Sequence, residues 1–70
     1  MGMDMNMRIF RAKELPAVTG LSLSLIYEMV GRDEFPRPVR LSAQRVGWRE
    51  ADIRAWQQRL QPTEGPKVPN

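Results

Sequence analysis

Seventy residues suffice for one small domain, which buries only about 60% of its unfolded surface, so the core is thin and no deep enclosed pocket is expected. The chain has no cysteine and no histidine, which excludes disulfides, thiolate nucleophiles and the usual zinc sites. Its net charge is +3; residues 8–60 hold ten basic and six acidic residues, and every basic residue there except Lys13 is an arginine. Arginine's planar fork of donors matches phosphate and the guanine edge, although a merely solvated basic surface has the same composition.

In chain order, residues 1–7 (MGMDMNM) show no hydrophobic period and read as a flexible leader. No apolar run reaches the roughly 20 residues of a membrane span, and the amino terminus lacks the basic-then-apolar layout of a signal peptide. The expectation is a soluble cytoplasmic protein. RIFR, residues 8–11, is a short extended lead-in whose Ile9 and Phe10 plug the core. AKELPAVTG then predicts one brief helix with Leu15 and Val18 as its apolar pair. Pro16 fits its first turn if the cap lies near Lys13, and Gly20 is its left-handed stop.

Ser22 can cap the next helix and Leu21 can staple against Ile26. From Leu23 onward, Leu23, Leu25, Ile26, Met29 and Val30 fall within an arc of roughly 160°, a core face with Leu23 and Leu25 at its edges. Ser24, Tyr27, Glu28 and Gly31 fall on the opposite arc, with Arg32 at its edge. Pro36 and Pro38 force an extended path, and VRL and RVGW predict a hairpin turning at Ser42, Ala43 and Gln44. Val39, Leu41, Val46 and Trp48 are its apolar members, while Arg40 and Arg45 project from it. READIRAWQQRL closes the domain as a helix with Ile53, Trp56 and Leu60 at i, i+3 and i+7, ended by Pro62. Residues 61–70, with three prolines and a glycine, read as a disordered tail.

The predicted fold is α+β: a small winged helix-turn-helix over residues 8–60, made of a short helix, a recognition helix, a two-stranded wing and a C-terminal helix. In such a motif the second helix is offered to the major groove and the wing supplies a phosphate-contacting arm. The ordered segments TGLSLSLIY (residues 19–27), FPRPVRL (35–41) and VGW followed by a helix ending in AW at Ala55 and Trp56 resemble the AlpA family of phage and prophage regulators, relatives of the small excisionases. The resemblance covers nearly all of residues 8–60. It implies a winged helix like that of the MerR DNA-binding domain, site-specific DNA binding, and control of integrase or excision functions or direct assistance in excision. The chain departs from the family at Leu23, Leu25 and Glu28, where arginine, threonine and a basic residue are common.

Candidate DNA-binding residues are Ser22, Ser24, Tyr27, Glu28, Arg32, Arg37, Arg40 and Arg45. Each has a plain structural reading beside it: Ser22 as helix cap, Ser24 as solvated helix, Tyr27 as a cover for the turn, and Arg32 as a partner of Asp33 or of the last helical carbonyls. Glu28 facing phosphates repels them, yet a carboxylate can accept from cytosine N4. Arg37, Arg40 and Arg45 are otherwise solvated arginines. Trp48 and Trp56 are assigned to the core. No catalytic residue, metal ligand or cofactor is expected, because neither a base-assisted nucleophile nor a glycine-rich phosphate loop is present. The expected partner is double-stranded DNA, with self-association on DNA permitted. The competing reading is a protein-interaction module in which Leu23, Leu25 and Tyr27 anchor a protein partner.

Overall fold

The computed structural model describes residues 8–63; the expected leader and the part of the expected tail beyond residue 63 lie outside the described residues. Strand β1 (Ile9–Phe10) leads through a 3-10 turn (Ala12–Glu14) into helix α1 (Leu15–Thr19). Helix α2 (Leu23–Gly31), strands β2 (Val39–Ser42) and β3 (Arg45–Arg49), and helix α3 (Glu50–Gln58) follow. The fold class is α+β, three helices and a three-stranded antiparallel sheet in the form of a small winged helix-like domain.

The helix boundaries follow from local chemistry. The Glu14 carboxylate accepts from the Arg11 amide at 2.7 Å, fixing the 3-10 turn, and Pro16 occupies the first turn of α1, where its missing N–H costs nothing. Gly20 ends α1 at φ 78°, donating its N–H to the Pro16 carbonyl at 2.9 Å. Thr19 then ties the interhelical turn together: its hydroxyl donates to the Leu15 carbonyl at 2.8 Å and accepts the Leu21 amide at 3.1 Å. Ser22 caps α2 by accepting from the Leu25 amide at 3.2 Å. The far end of α2 closes as a Schellman motif, with the Glu34 amide on the Met29 carbonyl at 2.8 Å and the Asp33 amide on the Val30 carbonyl at 3.1 Å. Asp33 takes the left-handed position at φ 60°.

The lead-in Ile9–Phe10 is a true strand. Ile9 pairs with Arg49 and Phe10 with Trp48, which puts β3 in the centre of the order β1-β3-β2. On the other side Val39 pairs with Gly47 and Arg40 with Val46, and a register shift between Arg40 and Ser42 brings Ser42 opposite Arg45. Gly47 is required at the centre, because a Cβ there would lie 2.6 Å from Ile9 Cγ2 and 3.0 Å from the Phe10 carbonyl oxygen.

The core is Phe10, Leu15, Ile26, Phe35, Trp48, Ile53 and Trp56, with Leu21, Leu23, Met29 and Val30 packed at its margin. Trp48 is fully buried and its indole N–H donates to the Pro36 carbonyl at 2.7 Å, so burial leaves no polar atom unsatisfied. Phe35 meets the Trp56 ring edge-on at 4.9 Å, closing the loop after α2 onto α3. Three expectations are corrected. Leu60 is 54% exposed because α3 ends at Gln58, so the i+7 position no longer lies on the buried stripe. Val18 is exposed at 40% and lies outside the core cluster. Ile9 does not plug the core but is half-buried with its Cγ2 over Gly47, because strand alternation puts it on the opposite face from Phe10. Leu25, at 37% exposed, is the edge residue expected.

Candidate nucleic-acid interface

The outward face of α2 carries Ser24, Tyr27, Glu28 and Gly31, all exposed. Tyr27 lies beside the hairpin, its ring centroid 6.1 Å from that of Trp48. Trp48 and Val46 share one face of β3, and Arg40 is paired with Val46, so Tyr27 and Arg40 begin on the same side of the wing. Helix face and wing therefore form one continuous outer surface. Beyond Trp48 the wing runs out of the core: Val46 is 38% and Leu41 43% exposed.

The candidate residues occupy this surface in different states. Ser22 and Ser24 stand in the first turn of α2, Ser22 with its oxygen accepting from the backbone and Ser24 exposed. Glu28 accepts from Arg32 at 2.8 Å, and Arg32 also lies 3.6 Å from Glu34, so this guanidinium sits between two carboxylates. Arg37 pairs with Asp33 at 3.2 Å. Arg40 donates to the Ala43 carbonyl at 3.0 Å, clamping the wing turn. Arg45, at the wing tip, is exposed and makes no ion pair or hydrogen bond from its side chain to any described residue. The Glu28–Arg32 and Arg37–Asp33 pairs are solvent-exposed and contribute roughly 0–1 kcal/mol each, so they hold these arginines only weakly.

The pairing of Glu28 with Arg32 is the feature the sequence reading missed. Both residues were candidates, and their i, i+4 spacing on one helix is the signal that points to it.

Comparison with known proteins agrees with this architecture. The family model described as Prophage CP4-57 regulatory protein (AlpA) matches residues 8–61. The chain belongs to the AlpA family. That AlpA match takes in every helix and strand described. A curated relative, the uncharacterized protein ORF88 of Enterobacteria phage P4, is 39% identical over 49 residues, covering 70% of this chain and 56% of its own length. The chain thus spans little more than half of that relative. No solved structure matches significantly. AlpA proteins are a regulatory family. Among the described residues no group of histidine, cysteine, aspartate or glutamate side chains is arranged to hold a metal ion, and no helix is long and apolar enough to cross a membrane.

Proposed function

We propose that this AlpA-family chain is a sequence-specific double-stranded DNA-binding regulator that lays α2 in the major groove and the β2–β3 wing along the adjacent backbone. Its targets in this reading are a mobile element's own integration or excision functions, which it controls as a transcription factor or assists as an excisionase. The observation that carries the reading is the continuous surface formed by the outer face of a well-capped α2 and a wing tipped by Arg45. Ser24 and Tyr27 are the base-facing or phosphate-facing donors, Ser22 adds a hydroxyl at the helix start, and Arg40 and Arg45 supply positive charge from the wing. Arg32 and Arg37 join by exchanging exposed carboxylate partners for phosphates, which also displaces Glu28.

The protein-partner reading has less support. Leu25 and Tyr27 are both exposed, but residues two apart on a helix face different directions, and Leu23 is packed against the core. They do not make one anchor patch.

The test is binding to duplex DNA flanking the chain's own gene, compared with an unrelated duplex, across a salt series. The flanking duplex should bind more tightly at every salt concentration, and Arg45→Ala should lower the log-log salt slope by roughly one on both, since each neutralised phosphate contributes about 0.9. Equal binding to both duplexes would refute sequence-specific recognition.

A further inference from the structure

The structure sorts the cations of this domain into two groups. Arg32, Arg37, Arg49 and Arg54 each lie within 4.0 Å of a carboxylate: Glu28 and Glu34, Asp33, Asp52, and Glu50 respectively. Arg8, Arg11, Lys13, Arg40, Arg45 and Arg59 have no carboxylate partner among the described residues; Arg40 and Arg45 belong to the wing already discussed, and Arg59 follows the end of α3, away from the sheet pairings. Arg11 and Lys13 belong to nothing so far assigned.

Their position follows from the sheet. Phe10 pairs with Trp48, so the next residue, Arg11, comes level with Gly47, where the Phe10 carbonyl oxygen lies only 3.0 Å from the site of a Cβ. The 3-10 turn bearing Lys13 packs alongside β3. Because β2 occupies the opposite edge, β3 has Arg11 and Lys13 on one flank, Arg40 on the other and Arg45 at the wing tip. The acid on this turn, Glu14, has its carboxylate on the Arg11 backbone amide, and no ion pair joins it to either side chain. Both cationic side chains are exposed. Arg8 lies apart: its backbone carbonyl accepts from the Glu50 amide at the far end of β3, and its guanidinium stacks over the Phe10 ring at 4.6 Å.

We propose that Arg11 and Lys13 form a second phosphate-binding patch, gripping the DNA backbone on the flank of β3 opposite β2. The proposal rests on the DNA-binding reading above and adds a contact outside both the helix-turn-helix face and the wing. Unpaired cations can neutralise phosphates, and so release the counterions condensed on the DNA, without first giving up a carboxylate.

The experiment measures affinity of the full chain for a mixed-sequence duplex against salt concentration, since the phosphate contribution does not depend on sequence. It compares wild type with two double variants that each remove the same charge: Arg11→Gln/Lys13→Gln, and Arg49→Gln/Arg54→Gln from the ion-paired group. The first should lower the log-log slope by about two, and the second should change it little. Thermal melting of both confirms folding, and the exposed positions should leave it near wild type. A first variant with the wild-type slope, or two variants with equally lowered slopes, overturns the patch while leaving the DNA-binding reading intact. Wild-type protein that shows no salt-dependent binding overturns both.

Discussion

Asp33 carries the left-handed backbone that ends α2, at φ 60°, a conformation that is sterically costly for a side-chain-bearing residue and free of that clash for glycine. Asp33→Gly should therefore raise stability by about 0.5–1 kcal/mol even though it gives up the exposed pair with Arg37, and a thermal melt should move upward by a few degrees. An unchanged or lower midpoint would show that the aspartate is held there by more than geometry. Glu28 poses the functional question at the same scale. Its carboxylate is engaged with Arg32 at 2.8 Å, so Glu28→Gln should both remove a repulsive charge and free a guanidinium. Affinity should rise for all duplexes, because Arg32 no longer has to give up a carboxylate to reach a phosphate, and the number of phosphates contacted, hence the salt slope, should change little. A change confined to one base pair of a single-base variant panel would mean instead that the carboxylate reads cytosine. The sequence shows both residues and their spacing; it does not show which of several nearby acids each arginine selects, because Arg32 lies within reach of both Glu28 and Glu34.

Among the elements, α2 was the most legible, because Ser22, the apolar period through Ile26 and the outward Ser24, Tyr27 and Glu28 are all local signals. The hairpin was legible for the same reason, with a shorter turn at Ala43 and Gln44 and a register shift at Leu41 that alternation alone does not encode. β1 is legible only as an extended segment: two residues carry no period, and their partners Trp48 and Arg49 are distant in the sequence. Phe35 was missed as core because it follows the Schellman turn in an aperiodic loop, where only the three-dimensional path brings it onto Trp56. Two stability tests belong here. Trp56→Ala should cost about 3–5 kcal/mol by opening the contact with Phe35, a large share of a small domain's total, and near-native melting would disprove its anchoring role. Gly47→Ala should cost about 1–3 kcal/mol through the clash with Ile9 and the Phe10 carbonyl, and a neutral effect would mean β1 can shift away without loss.

Across the whole molecule, composition showed an arginine-rich domain, but the useful distinction is between cations already neutralised within the fold and those left without a carboxylate. That distinction depends on which acids the backbone brings near, so it is invisible in a net charge of +3. Of the cations without a carboxylate, Arg11, Lys13, Arg40 and Arg45 flank or tip β3, whereas Arg8 lies at its far end and Arg59 at the end of α3. Such an arrangement suits a domain that grips the backbone with its sheet edge and wing while α2 reads bases. The most direct measurement is selection of bound duplexes from a randomised library by the wild-type chain, followed by affinities of wild type, Ser24→Ala and Tyr27→Phe across all single-base variants of the selected site at fixed salt. If α2 lies in the major groove, a defined motif is enriched and at least one of the two substitutions changes discrimination at particular base pairs, each mismatch in the wild-type profile costing about 1–3 kcal/mol. No enriched motif, or three superimposable profiles, would contradict recognition by this helix.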